Sequence, residues 1–398
     1  MSASVRTKHA FATGLAVVMT GVGLAAVAAP ASATTGSVEY TCTDSLDPTK
    51  TFKLPVTIDS DAPAKLYVGE TADIKVSSAT VLPGALAKTA YDAPIGARFF
   101  DGSIAGSGTV KIGSGQPAAV VINQAIPEKA IPDQATATDV PFTATSASAI
   151  PFKPTTLGDL EMTAGDFVAT LNLKDAAKAP TVPPKVDVTC KAPAKAPVID
   201  TVVVVAKSST TLTLTPATAG YGAPVTATAK VTTTGGTPEG DVTFVVGGVS
   251  TKVPVKDGAA SLVLDQTVVG SHSVSATFTP KDAVHYEGSS AAPVNLKVSK
   301  AATSTKVKIT GKRVRERTAA TIKVVGINKT VPTGKVKLVL RKAGNKGFHK
   351  AKSGSLAKGS RGFNLGRLGK GKYKVVVKYD GDSNHLKSKT VKRFRVRR

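Results

Sequence analysis

Residues 238–244 read Pro-Glu-Gly-Asp-Val-Thr-Phe, and residues 332–338 read Pro-Thr-Gly-Lys-Val-Lys-Leu. In both stretches a proline and a glycine interrupt the chain, and polar and apolar residues then alternate. Alternation with a period of two is typical of a half-buried strand. Residues 272–278 and 373–379 form a second matching pair, so the sequence predicts two copies of one β unit.

The rest of the chain also favours strands. Aromatic residues make up 5% of the sequence and Trp is absent, so the cores must consist of Val, Leu, Ile and Ala. Helical periodicity is scarce, while short alternating runs such as residues 51–56 and 167–173 recur between Gly, Pro and Asp. We predict a β domain over residues 34–191, a Pro/Ala/Lys linker over 192–207, and the two copies over 208–300 and 301–398.

The two copies resemble the bacterial Ig-like repeat family of secreted and surface proteins. The matching features are the turn at Tyr221-Gly222, the Pro-x-Gly-x-Val strand entry, the hairpin at residues 257–260 and the turn at residues 379–382. The resemblance implies two tandem Ig-like β-sandwiches. The second copy departs from the pattern, because Lys312-Arg313-Val314-Arg315 replaces the Tyr-Gly turn.

Residues 36–191 resemble an uncharacterised domain of actinobacterial exported proteins. The matches are residues 40–42, 68–70, 163–167 and 188–190, which include both cysteines of the chain. The resemblance implies a disulfide-closed β domain and supplies no activity.

The pair Cys42 and Cys190 is predicted to form one structural disulfide, as an isolated pair does in an exported protein. A metal site would need further ligands, and no histidine lies between the two cysteines. The predicted fold class is therefore all-β: a disulfide-closed, β-sandwich-like N-terminal domain followed by two tandem Ig-like β-sandwiches.

The first 33 residues have the order of a secretory signal. Arg6 and Lys8 precede an apolar run over residues 10–29, and Ala31-Ser32-Ala33 supplies a cleavage pattern. We therefore predict an extracellular protein, secreted or associated with the cell wall. No second apolar stretch of spanning length follows, so no transmembrane anchor is expected in the mature chain.

The positive charge belongs to one module. Residues 301–398 contain 29 Lys and Arg against three carboxylates, a net charge of +26, whereas the whole chain carries +25. Because Lys and Arg alternate with apolar residues there, they are predicted to form stripes on the solvent face of a sheet. The predicted polyanion-binding residues are Lys335, Lys337, Arg341, Lys342, Lys372, Lys374, Lys378, Arg393, Arg395 and Arg397.

Stripes of one sign attract polyanions, and in an exported protein the nearest are acidic cell-envelope polymers. The simplest alternative is a solvated face that only maintains solubility, although a charge of this size exceeds that need. Extracellular nucleic acid remains a second alternative. Export argues against intracellular nucleic acid, and aromatic residues for base stacking are sparse in this module.

No motif in the sequence specifies catalysis. There is no G-x-S-x-G elbow, no phosphate-binding loop and no His-x-x-x-His spacing, and the turn at residues 380–384 lacks the central glycine and closing glutamate of a calcium loop. We predict a non-catalytic structural or adhesive protein with no cofactor, metal or small-molecule substrate. The alternative of an exported hydrolase with its site in the N-terminal domain requires a cluster of carboxylates, such as Asp159, Glu161 and Asp166, in a shared pocket.

Overall fold

The computed structural model describes residues 37–195, 198–265 and 267–398, and the predicted signal over residues 1–33 lies outside these ranges. The described residues form three consecutive domains built almost entirely of strands, in agreement with the predicted all-β class. They include one helix, α1 (Gly84–Tyr91). Within the described ranges, no helix is long and apolar enough to cross a membrane.

The N-terminal domain contains twelve strands and α1, which follows the fifth strand. The strands are β1 (Ser37–Asp44), β2 (Phe52–Ser60), β3 (Lys65–Tyr67), β4 (Ala72–Ile74), β5 (Val76–Leu82), β6 (Phe99–Ile112), β7 (Ala118–Ala130), β8 (Val140–Ser146), β9 (Ile150–Phe152), β10 (Gly158–Lys174), β11 (Pro180–Lys191) and β12 (Val198–Val205).

Eight of these strands form a sheet that closes on itself. The order is β11-β1-β2-β5-β8-β7-β6-β10, and β10 then pairs with β11. All eight pairings are antiparallel. Inward-facing side chains alternate with outward ones, as on β1, where Val38, Tyr40 and Cys42 are buried and the residues between them are exposed. The enclosed core contains Tyr40 and Phe100, and α1 adds Leu86 and Ala87 to it.

The predicted disulfide is present. Cys42 on β1 and Cys190 on β11 are directly opposite in the register, and both are fully buried. The bond joins residues 148 positions apart and connects two strands that also hydrogen-bond to each other. It therefore reinforces one seam of the closed sheet.

The structure corrects the predicted linker over residues 192–207. Val198–Val205 forms β12, which pairs antiparallel with β10 and parallel with β3. Val202 and Val204 are buried against Leu66 and Leu160 in a second, smaller core. The β-branched run completes the edge of β10 beyond the part that β11 covers, so these residues belong to the N-terminal domain.

The second domain, residues 208–299, consists of two facing sheets. One has the order β13-β15-β18, and the other has the path β14-β21-β19-β16-β17 with β20 beside β19. The strands are β13 (Ser208–Thr215), β14 (Thr218–Gly220), β15 (Val225–Thr233), β16 (Gly240–Val246), β17 (Val249–Pro254), β18 (Ala259–Leu264), β19 (Gly270–Pro280), β20 (Ser289–Ser290) and β21 (Val294–Ser299).

The third domain repeats this arrangement. Its sheets have the orders β22-β23-β26 and β25-β24-β27-β28. The strands are β22 (Thr303–Thr310), β23 (Arg317–Gly326), β24 (Lys335–Lys342), β25 (Asn345–Ser355), β26 (Ser360–Arg367), β27 (Gly371–Tyr379) and β28 (Ser388–Val396).

The sequence difference at residues 312–315, where the third domain lacks the Tyr-Gly turn, corresponds to a local difference in structure. In the second domain β14 pairs in parallel with β21, but in the third domain the equivalent pairing is a single bridge between Arg313 and Arg397. The backbone N–H of Val314 donates to the Arg397 carbonyl across this bridge. The first strand of the third domain, β22, is complete.

Both domain junctions use the same backbone contact. Ala206, between the first two domains, accepts from Glu287 N–H and donates to the His285 carbonyl. Ala301, between the last two domains, makes the corresponding bonds with Leu386 and Asn384. Both alanines are fully buried, so each domain connects to the next through a buried backbone bridge.

The Tyr221-Gly222 turn lies at the second junction. The Tyr221 ring packs edge-on against His385 of the third domain, with the ring centres 5.4 Å apart. Gly222 has φ of +79°, and a Cβ there would clash with the Thr330 Cγ2 atom. Glycine is therefore required both by the backbone conformation and by the close approach of the third domain.

Candidate functional site

The candidate site is the outward surface of β24, β27 and β28 in the third domain, which we call face A. Apolar residues at alternate positions, such as Leu338 on β24 and Val377 on β27, are fully buried in the core. The intervening residues point outward because successive side chains alternate between the two faces of a sheet. Nine basic residues occupy these outward positions: Lys335, Lys337, Arg341, Lys372, Lys374, Lys378, Lys389, Arg393 and Arg395.

The strand register aligns these cations into rows across face A. In one row Arg341 is opposite Lys374, which is opposite Arg393 on the next strand. In a second row Lys337, Lys378 and Lys389 are aligned in the same way. The rows are four residues apart along the strands, about 14 Å at the usual rise. The residues between them are Val339, Val376 and Val391.

The structure brings most of the predicted polyanion-binding residues together. Eight of the ten are among the nine outward cations of face A, and exposed Arg397 directly follows β28. Lys342 is not among these outward residues, because it is opposite buried Tyr373 and lies at the end of the sheet. Sequence reasoning missed Lys389, although extending the alternation backwards from Arg395 through Arg393 would have found it.

Few negative charges oppose these cations. The third domain contains three carboxylates, and only Asp380 contacts face A, with its Oδ2 atom 3.3 Å from Lys337 Nζ. Glu316 accepts a hydrogen bond from the Arg313 backbone, and the Asp382 side chain is 10% exposed. The cations of face A therefore face one another across the strands, and like charges directly opposite are destabilising.

A shallow groove of about 660 Å³ lies at one end of face A. Basic residues from all three strands line it, together with Ala343, Tyr373 and Phe394. The rings of these two aromatic residues belong to the buried core and stack on each other with their centres 5.5 Å apart. They are therefore engaged within the sandwich and do not form a platform on which a base could stack.

The corresponding surface of the second domain is nearly neutral. Outward positions on β19 carry Ser271, Ser273, Ser275, Thr277 and Thr279. The sheet topology is shared and the hydrophobic cores are equivalent. The positive charge of face A is thus not a requirement of the fold.

The carboxylates of the hydrolase hypothesis do not meet in a pocket. Asp159 bonds to His285, and Asp166 bonds to Lys191 and to the Ala192 backbone. Glu161 shares the outward face of β10 with Asp159. An apolar groove of about 400 Å³ in this domain is lined instead by Leu160, Met162 and Thr163 from β10.

The turn at residues 380–384 is held by protein donors. The Asp382 carboxylate accepts from the Thr333 and Asn384 backbone N–H groups, from the Tyr379 and Thr333 hydroxyls, and from the His385 ring. Burial alone would raise the pKa of Asp382, but these donors together hold it well below its usual value. The described residues contain no group of three or more His, Cys, Asp and Glu side chains arranged to hold a metal.

Comparisons with known proteins agree with this domain organisation. Residues 212–299 match the family of bacterial Ig-like domains (group 3), and residues 39–200 match a family of unknown function, DUF6801. Together the two matches are consistent with a bacterial Ig-like repeat protein that has a DUF6801 domain at its N-terminal side. The DUF6801 match extends beyond Lys191, the predicted end of the N-terminal domain, into β12. No curated protein matches the chain.

Two solved structures are similar to the chain. One contains fibronectin(III)-like modules of Clostridium thermocellum CbhA, with 15% identity, 47% of this chain and 94% of that chain covered, and a TM-score of 0.19. The other contains the FN1–FN3 domains of chicken CNTN1, with 8% identity, coverages of 86% and 98%, and a TM-score of 0.21. The domain assignment rests on the family matches and the strand topology.

Proposed function

We propose that this protein is a non-catalytic extracellular module whose third domain binds acidic cell-envelope polymers through face A. The observation that carries the proposal is the row Arg341–Lys374–Arg393, in which three cations are adjacent across three strands without a carboxylate among them. Such a row raises the local positive potential. The binding free energy is most favourable when a flexible polyanion replaces the small counterions of the row.

A structural or adhesive role is supported by the domain types. Bacterial Ig-like domains are typically non-catalytic and often extracellular, and residues 212–299 match that family. The predicted secretory signal would place the protein among acidic wall polymers. In the N-terminal domain, two of the carboxylates proposed for a hydrolase, Asp159 and Asp166, are engaged with different partners on the outside of β10.

Co-sedimentation with isolated Gram-positive cell walls tests the proposal. We expect binding at 50 mM salt that decreases steeply as salt rises, because ion release drives it. A variant with Lys337, Arg341, Lys374 and Arg393 changed to Gln should bind much more weakly. A control changes four exposed lysines of the other domains to Gln, namely Lys65, Lys153, Lys185 and Lys230.

Retention of wall binding in 1 M salt, or equal binding by the two variants, would refute the electrostatic proposal. Competition with double-stranded DNA addresses the second candidate function. If DNA displaces the protein from walls at a lower phosphate concentration than soluble wall polymer does, the extracellular nucleic-acid alternative is favoured.

A further inference from the structure

The third domain carries a second basic surface on its other sheet, which we call face B. Five exposed cations occupy outward positions of this sheet: Lys306 and Lys308 on β22, Arg317 and Lys323 on β23, and Arg367 on β26. Lys306 is directly opposite Lys323, and Arg317 is directly opposite Arg367. No Asp or Glu occurs in these three strands.

Faces A and B point in opposite directions. The core between them contains Ile322 from β23 and Leu338 and Val377 from the facing sheet, all fully buried. Facing sheets pack about 10 Å apart, and the outward side chains add to this separation. Because the Debye length at physiological salt is about 8 Å, each face presents its charge to solvent separately.

The second domain again provides an internal comparison. Outward positions on its equivalent sheet carry Thr211 and Thr213 on β13 and Thr226 and Thr228 on β15, with Lys230 as the one cation of these two strands. The same fold therefore forms with hydroxyl side chains where the third domain has lysine and arginine. Of the two repeats, only the third domain has two opposed basic faces.

We infer that the third domain is bivalent and bridges two segments of acidic polymer, one on face A and one on face B. This inference rests on the proposed function and goes beyond it. Charge complementarity selects the partner: a planar anionic membrane can neutralise only one face at a time and leaves the other uncompensated. Flexible polymer segments can lie along both faces, so a polymer meshwork fits the charge distribution.

Light scattering of the full chain mixed with long-chain inorganic polyphosphate at 50 mM salt tests this inference. Bridging predicts turbidity that is maximal near charge balance and declines when either component is in excess. A face A variant (Lys337, Arg341, Lys374 and Arg393 to Gln) and a face B variant (Lys306, Lys308, Lys323 and Arg367 to Gln) should each still bind polyphosphate. Each should lose most of the turbidity, while the four-lysine control keeps it.

Binding by each variant is measured separately, by fluorescence anisotropy of labelled polyphosphate over a salt series. Each variant should reduce the slope of log K against log salt by roughly three, because about four ion contacts are lost. If both single-face variants scatter like the wild type, or if changing face B leaves the slope unaltered, bivalency is wrong while the proposed function stands. If the wild type does not bind polyphosphate, both are refuted.

Vesicles with one third anionic lipid distinguish the membrane alternative. Bivalency toward polymers predicts that vesicles bind no more tightly than polyphosphate of equal charge. Vesicle binding that is much tighter and depends on one face only would overturn the inference. Circular dichroism melting verifies that each variant folds, and removal of like charges is expected to leave Tm unchanged or higher.

Discussion

Arg341 lies directly opposite Lys374 on the neighbouring strands β24 and β27, and neither strand contains an Asp or Glu. Opposed like charges reduce the stability of a strand pair, and the fold does not require them, since the second domain has hydroxyl residues at comparable positions. Opposed cations that lower stability and recur along one face are expected where the surface binds an anionic partner.

Changing Lys374 to Gln should therefore stabilise the third domain at low salt. We expect its Tm to rise by about 2 °C at 20 mM salt, and the difference to vanish in molar salt, where the repulsion is screened. Differential scanning calorimetry at both salt concentrations measures this. The control is Ser273→Gln in the second domain, which should show no salt-dependent shift. A Lys374→Gln variant destabilised at all salt concentrations would contradict the prediction.

Asp382 should be the most sensitive acidic residue of the third domain. Asp382→Asn replaces one oxygen of a largely buried carboxylate with an NH2 group that faces hydrogen-bond donors, and it should cost roughly 3 kcal/mol. Asp380→Asn at the exposed rim should cost under about 0.5 kcal/mol. The folded-state pKa of Asp382 is lowered. The contribution of this carboxylate to the free energy of unfolding is therefore complete above its ordinary pKa near 3.8 and is lost as the pH falls below that pKa. Urea unfolding followed by circular dichroism at pH 7 and pH 2.5 checks both statements, and equal costs for the two variants would refute them.

Removal of the disulfide should destabilise the N-terminal domain selectively. Replacing Cys42 and Cys190 with Ala opens a loop of 148 residues and should lower the free energy of unfolding by about 2–5 kcal/mol. The calorimetric transition of this domain should shift while those of the two repeats do not. A shift of all three transitions would show that the disulfide acts beyond its own domain.

The corrected boundary predicts that residues 198–205 stabilise the N-terminal domain. Val204→Asp places a charge at a fully buried position between β10 and β3 and should cost more than about 3 kcal/mol in that domain. The control is Val198→Asp at the start of the same strand, where the side chain is 48% exposed. If Val204→Asp is as mild as the control, this segment is a linker after all.

The first domain junction should depend on pH through His285. Its Nδ1 is 2.9 Å from Asp282 and its Nε2 is 3.3 Å from Asp159 of the N-terminal domain. The hydrogen bond to Asp282 raises the pKa of His285 despite partial burial, and Asp159 adds to this. A raised histidine pKa means that the stabilising contribution is complete below about pH 6.5 and is lost as pH rises through the folded-state value.

Small-angle X-ray scattering at pH 5.5 and pH 8.5 measures the consequence. The distribution of interatomic distances should broaden at the higher pH as the first two domains become less constrained. Asp159→Asn should remove most of this difference, because it weakens the contact across the junction and leaves the Asp282–His285 turn intact. The control is His272→Ala, which alters a histidine that bonds to the Val268 carbonyl. This variant should retain the difference in scattering between the two pH values.

The alternation of apolar and charged residues determined much of this protein from sequence alone. A period of two requires that Val375 and Val377 be buried when Lys374 and Lys378 are exposed, so strand positions and the basic face could be predicted. Pairing of Cys42 with Cys190 followed from their isolation in the chain. The same Asp-x-x-His sequence occurs in both repeats, and in the structure Asp282 contacts His285 as Asp382 contacts His385.

Only the tertiary structure decided which strands are neighbours. Local alternation contains no information on register, so the alignment of Arg341 with Lys374 and Arg393, the closure of β10 onto β11, and the pairing of β12 were not predictable. The division of the positive charge between two opposed faces depends likewise on which strands share a sheet. These features arise from long-range hydrogen bonding and burial, which act between residues far apart in sequence and are therefore absent from any local pattern.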